Sequence, residues 1–174
     1  MNIFSTSNFP SVSHVKQHWK TIRDEFLSVK DHAEKWPPKA FQGTIVDGPD
    51  GVVTNNNGQW DFLPLFIDGK WLVDKEFCPV TISVAEKIPN IFLVGFSILK
   101  GGCEIFPHSG PDNPAVFKYH LGLIASGKAW INVGGDVYYW NEGEDTVFDD
   151  TVEHFAFNPT DNDRVILMID LIKT

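Results

Sequence analysis

Cysteine is scarce in this chain: only Cys78 and Cys103 occur, with no CxxC pair and nothing like the density of a disulfide scaffold. That excludes a stapled mini-protein and fits a reducing compartment, so both thiols are expected to be buried rather than metal-ligating, and the expected location is cytoplasmic. Positive charge is also short, with 14 Lys+Arg against 23 Asp+Glu and a formal net charge of −9. No basic run exists that could follow a phosphate backbone, which argues against nucleic acid as a partner. The opening MNIFSTSNFPSVSHVK has no positive segment leading into an apolar one, and no stretch approaches the ~18 consecutive apolar residues of a membrane span. A soluble protein with no membrane partner is expected. There is no internal repeat, no low-complexity tract and no sustained alternation of strand and helix patterns.

What remains is a chain of 174 residues, 43% hydrophobic and 13% aromatic, long enough for one sizeable core and too short for two ordinary domains. A single domain over residues 1–174 is expected. Val15, Trp19, Ile22, Phe26 and Val29 recur at steps of four, three, four and three, one face of an α-helix, with Ser13 as its N-cap. The helical part is placed at about residues 13–36, where Trp36-Pro37-Pro38 stops it. Beyond it, turn clusters DGPDG (47–51), NNNG (55–58), IDGK (67–70), LKGG (99–102), VGGD (133–136) and NPTDND (158–163) punctuate short runs rich in Phe, Val, Ile, Trp and Tyr. That is the pattern of a β-rich body: a sandwich, a jelly roll or a barrel. Trp60 and Trp71 are read as core.

The polar landmarks of the second half are PHSGP with His108, KYHLGL with Lys118 and His120, DDTVEH with Asp149, Asp150 and His154, and Arg164 opening RVILMID. Neutral imidazoles on rigid strands suit a borderline first-row metal such as Fe(II). Lone histidines near strand ends are more often hydrogen-bonded rim residues. Arg164 shifts the balance, because a guanidinium followed by the apolar run 165–169 has a buried stem and needs an anionic partner. If the strands of His154 and Arg164 form a hairpin, their even numbers share a face only with an odd-length loop. Ser97, by contrast, reads from the residues alone as a solvent-facing strand position, Asp149 and Asp150 as a turn, and His120 as a core histidine bonded to a carbonyl.

The runs HSGPDNPAVFKYHLGL, VFDDTVEHFAFN and RVILMIDL, preceded in order by WKTIRDEF, GQWDFLPLF, CPVT and FSIL, resemble the aspartyl/asparaginyl β-hydroxylase family of Fe(II)/2-oxoglutarate dioxygenases from about Trp19 to Asp170. The resemblance implies a double-stranded β-helix (jelly roll, cupin-like), mainly β, with the N-terminal helix packed on it and a metal-binding core at about residues 90–172. It implies Fe(II), 2-oxoglutarate as cosubstrate and O2. It gives His108 and His154 as the metal ligands and catalytic centre, Arg164 and Ser97 as contacts to the distal carboxylate of 2-oxoglutarate, and His120 beside the metal-side carboxylate. Lys118 stands where the family usually has an arginine, keeping the charge and losing the planar fork, and is expected with Ser97, His120 and Arg164 among the residues that bind 2-oxoglutarate. The carboxylate that many non-heme iron oxygenases carry two residues after the first histidine is Gly110 here, an absence the family shares.

The implied activity is hydroxylation of an unactivated C–H bond, at the β-carbon of an aspartyl- or asparaginyl-type side chain, with succinate and CO2 released. A free amino acid, a carrier-bound residue or another small metabolite is the alternative, and the partner is accordingly a small-molecule or peptidyl amino-acid substrate. Asp150 and Lys118 are the expected polar substrate contacts. Val116 departs from the peptide-acting pattern, which has an arginine for the substrate acid there, and this weakens the case for a free Asp carboxylate. The related lipid A-acting branch is disfavoured by the lack of a membrane segment and cationic patch. A non-catalytic jelly-roll ligand-binding module is the reading from another class; it predicts loss of a histidine or of Arg164, and neither is lost.

Overall fold

Strands whose two faces do different work organise this molecule, as seen in a computed structural model that describes residues 1–42 and 59–174. In chain order they are β1 (Ile3–Phe4), β2 (Glu34–Lys35), β3 (Trp60–Ile67), β4 (Lys70–Trp71), β5 (Ile91–Leu99), β6 (Glu104–His108), β7 (Val116–Ile124), β8 (Ser126–Val133), β9 (Asp136–Asn141), β10 (Asp145–Asp149), β11 (His154–Phe157) and β12 (Arg164–Ile172). Two helices join them, α1 (Trp19–Val29) and α2 (Pro79–Ala85). Eight strands form one sheet in the order β1-β10-β7-β12-β5-β3-β2, with β4 on β3, and four form a second in the order β6-β11-β8-β9. Every pairing is antiparallel. The architecture is a double-stranded β-helix, mainly β, with an N-terminal helix packed on it. The turn runs 47–51 and 55–58 lie outside the described residues.

The large sheet explains the placement of the helices and of the polar residues together. On one face, Val94, Phe96 and Ile98 of β5, Tyr119, Leu121 and Leu123 of β7, and Leu167 and Ile169 of β12 join Ile22, Phe26 and Val29 of α1 and Ile82 of α2 in one buried cluster. Burying a side chain such as Phe26 contributes about 2–3 kcal/mol, so this face holds the helices down. Strand side chains alternate, so the intervening residues point the other way, toward the small sheet. Ser97, His120, Lys118, Arg164 and Asp170 all belong to that second set. The register places Ile166 opposite Ser97, Met168 opposite His120 and Asp170 opposite Lys118.

The N-terminal part differs from its expected form. Ser13 is not the N-cap of α1; its hydroxyl donates to Pro10 O, and residues 10–18 wind as tight 3-10 turns with Val15 N bonded to Val12 O and His18 N to Val15 O. The apolar periodicity persists through these turns because Val12 and Val15 are both fully buried, but α-helical bonding begins only at Trp19. Val29 ends it, ahead of the Trp36-Pro37-Pro38 stop. The CPVT step opens a second helix not expected from the sequence: α2 has Pro79 at its first position. The Glu25 carboxylate of α1 accepts from Val80 N, Thr81 N and Thr81 Oγ1 at 2.7, 2.9 and 2.6 Å. An anion at a helix start satisfies N–H groups that have no partner within the helix. No helix among the described residues is long and apolar enough to cross a membrane.

Candidate metal and organic-acid site

β6 and β11 are neighbours in the small sheet, and their register sets His108 directly opposite His154. The rings lie 4.2 Å apart between centroids. Each ring is oriented by its own strand: His108 Nδ1 is 2.8 Å from Phe106 O and His154 Nδ1 is 2.8 Å from Val152 O. A carbonyl only accepts, so both Nδ1 atoms carry the proton and both Nε2 atoms present a lone pair. Burial, aided for His154 by the neighbouring His108, lowers both pKa values, that of His154 to about 4, so the imidazoles are neutral at physiological pH.

Asp150 lies beside them, its Oδ1 3.4 Å from His154 Nε2. A carboxylate oxygen and a bare imidazole nitrogen are both acceptors, and two acceptors at this separation are reconciled by a cation between or beside them. The donor set therefore fits a divalent metal. Gly110, where other oxygenases carry their carboxylate, is constrained by the same group: a Cβ at Gly110 would stand 1.7 Å from Asp150 Oδ2. Its backbone N–H donates to Asp150 O at 2.7 Å, tying the end of β6 to this turn. Among the described residues no three His, Cys, Asp or Glu side chains converge in metal-holding geometry, so the histidine pair leaves coordination positions open. Asp149, next door, is bonded instead to Thr151 and Lys173.

Across the cavity stands Arg164, only 2% exposed. Its Nη2 donates to Ser97 Oγ at 3.0 Å and its guanidinium carbon sits 4.4 Å from the centre of the Trp140 ring. It has no ion pair among the described residues, and its Nε has no acceptor. Burial lowers its pKa to about 9, which leaves it charged at neutral pH. His120 repeats the pattern. Trp140 Nε1 donates to His120 Nδ1 at 3.3 Å, so the ring proton is on Nε2, and Nε2 is buried without a partner. Unpaired buried donors are rare because each costs roughly 1–3 kcal/mol. Here they line the same cavity of about 360 Å³ as His108, His154 and Asp150.

Ser97, His108, Lys118, His120, Asp150, His154 and Arg164 thus all line one cavity. The hairpin condition does not arise, since β11 pairs with β6 and β8 whereas β12 pairs with β5 and β7. The 158–163 turn carries the chain from one sheet to the other, and His154 and Arg164 approach from opposite sides. Sequence reading missed three participants. Trp60, read as core, is buried but also lines the cavity and donates from Nε1 to Ser97 Oγ at 2.9 Å. Trp140 orients His120. Asp170 accepts from Lys118 Nζ at 2.9 and 2.8 Å; its even spacing from Arg164 along one strand was the available signal. Trp71 is half-buried against Phe66, their ring centroids 5.0 Å apart.

Comparison with known proteins bears on this geometry. The family model described as aspartyl/asparaginyl beta-hydroxylase matches residues 16–174. The chain is 32% identical over 174 residues to the ornithine lipid ester-linked acyl 2-hydroxylase of Rhizobium tropici, covering 98% of this chain and 60% of that protein. It is 28% identical to the aspartyl/asparaginyl beta-hydroxylase of Homo sapiens, covering 92% of this chain and 21% of that one. Among solved structures it is similar to the cupin domain of Cnp3 from Schizosaccharomyces pombe, with a TM-score of 0.46 and 10% identity over 66% of each chain. The chain spans 60% or less of the length of these two sequence relatives. With a family model matched from residue 16 to residue 174, the chain belongs to the aspartyl/asparaginyl beta-hydroxylase family.

Proposed function

We propose that the chain is an Fe(II)- and 2-oxoglutarate-dependent dioxygenase that hydroxylates an unactivated C–H bond. An aspartyl- or asparaginyl-type side chain is the first substrate class to test, and a free amino acid, a carrier-bound residue or another small metabolite is the alternative. One observation carries the reading: a single cavity holds two imidazole nitrogens with free lone pairs and two buried donors, Arg164 Nε and His120 Nε2, that lack an acceptor. The hydroxylase names of the relatives support the reaction class.

When bound, iron with 2-oxoglutarate and O2 supplies the oxidising power to replace C–H by C–OH, with succinate and CO2 as the other products. The protein's own part is positioning. His108 and His154 would hold the metal, their rings fixed by the Phe106 and Val152 carbonyls. Arg164 and Ser97 would bind the distal carboxylate of 2-oxoglutarate, and Trp60 donates to the same serine oxygen and holds it in place. His120, kept in its Nε2–H form by Trp140, would donate to the metal-side carboxylate. Ile105, Ile131, Phe148 and Met168 line part of the remaining wall and would shield the reacting carbon from water.

The test is anaerobic titration with Fe(II) and 2-oxoglutarate, following the weak visible charge-transfer band of the chelate. The band is expected in the native chain, absent in His154→Ala and weakened in Arg164→Ala. A folded, iron-bound protein that gives no band overturns the assignment.

A further inference from the structure

Lys118 is the second cation in the cavity wall, and its charge is already committed. An ammonium has three donors. Nζ donates to both oxygens of Asp170, at 2.9 and 2.8 Å, and lies 3.7 Å from Asp150 Oδ1. The Asp170 pair is built into the sheet, because the two residues face each other across β12 and β7. The lysine side chain is 17% exposed and the two carboxylates 4–5%, so all three charges are shielded from solvent. Burial pushes the Asp170 carboxyl up to about 6, still ionised at neutral pH. Burial lowers the Lys118 pKa, but Asp150 and Asp170 more than offset this, and the ammonium stays charged.

One lysine therefore faces two carboxylates. Arg164 stands apart from them and answers to the organic acid. With a divalent metal on neutral histidines and a doubly charged keto-diacid in place, Arg164, Lys118, Asp150 and Asp170 bring the cavity to electrical balance. A carboxylate on the second substrate would leave one buried negative charge in excess, which is costly in a low-dielectric site. The surfaces left for the substrate include Trp36, Ile105, Phe155 and Met168.

We propose that the part of the substrate entering this cavity is an uncharged chain without a free carboxylate, and that Lys118 is a positioning residue held by Asp170 and Asp150 rather than an anion contact. This rests on the hydroxylase reading and narrows it: an asparaginyl-type amide or a neutral acyl chain fits, and an aspartyl acid does not.

The experiment loads the chain with Co(II) and 2-oxoglutarate and follows the visible Co(II) spectrum while hexanamide or hexanoate is added. These probes have the same chain and differ in charge. If Co(II) and 2-oxoglutarate leave no mutual spectral change, the hydroxylase reading fails before any probe is used. With that change established, hexanamide is expected to perturb the spectrum with an affinity at least about tenfold above that of hexanoate, the direction a like-charge penalty dictates. Equal or tighter binding of hexanoate overturns the proposal, and so does the absence of any response to hexanamide. Asp170→Asn releases Lys118 and is expected to raise hexanoate affinity and narrow the ratio. Lys118→Gln, which keeps both carboxylates, is expected to widen it. An unchanged ratio in a folded variant overturns the positioning role, and the second variant keeps the test open if the first does not fold.

Discussion

Single residues in this cavity are arranged for ligands at some expense to the fold. Arg164 is the sharpest case, a buried guanidinium with Ser97 and an indole for company and no carboxylate among the described residues. Replacing an uncompensated buried charge by an apolar chain of similar volume is often stabilising. Arg164→Met is therefore expected to raise the stability of the ligand-free chain by about 1 kcal/mol, read by urea denaturation, while weakening 2-oxoglutarate binding at least about tenfold. A fall in both quantities would mean that the arginine is structural. Gly110→Ala makes the complementary prediction. Its Cβ would meet Asp150 Oδ2, so the carboxylate must leave the histidine pair; calorimetric titration is expected to show altered Co(II) affinity with little change in melting temperature. At this scale His108, His154 and Arg164 were legible in the sequence, because their spacing and the family pattern mark them. Trp140 was not, since nothing in its own strand marks which face meets His120, and Asp170 was marked only by its even spacing from Arg164 on β12.

Among the elements, α2 shows how local composition misleads. PVTISVA carries four β-branched residues among its seven positions, a composition that favours strand, yet Pro79 at its start and the Glu25 carboxylate from α1 make it helical. The cap comes from a residue more than fifty positions away, a signal no sequence window contains. Glu25→Ala is expected to cost about 1–2 kcal/mol, seen as a lower urea midpoint with the 2-oxoglutarate response intact, because α2 packs on the sheet face opposite the cavity. The same carboxylate adds to burial in pushing the Cys78 thiol up to about 12. The folded value lies above the unfolded one, so this contribution to stability is complete below about pH 8.5 and is lost as pH rises toward 12. Cys78 should stay unmodified by iodoacetamide at pH 8 in the native chain and react once the chain is unfolded; reaction in the native state would contradict this burial. The β-rich body itself was legible from Gly- and Asn-marked turns. The assignment of β11 and β12 to different sheets was not, because alternation within each strand is the same for a hairpin and for a crossover.

For the molecule as a whole, the proposed ligands would couple to the fold across the two sheets. The histidine pair is on the small sheet and Arg164, Ser97 and His120 are on the large one, so under the proposed function metal and 2-oxoglutarate together would bridge the sandwich. Saturating ligand at a hundred times its dissociation constant stabilises a native state by about 2.7 kcal/mol, which for a chain of this size is a rise in melting temperature of about 5–10 °C. The rise should require both ligands and vanish in His154→Ala. The crossover at 158–163 gives this coupling a further meaning. Asn158 pins it, donating to Leu99 O at 3.0 Å and to Asn162 O at 2.7 Å and accepting from Thr160. The gap between the histidine pair and Arg164 is thus set by the spacing of two packed sheets, about 10 Å face to face, instead of by mobile side chains. The cavity is a calliper whose jaws belong to different plates, and a diacid held as proposed would have its length measured before any chemistry begins.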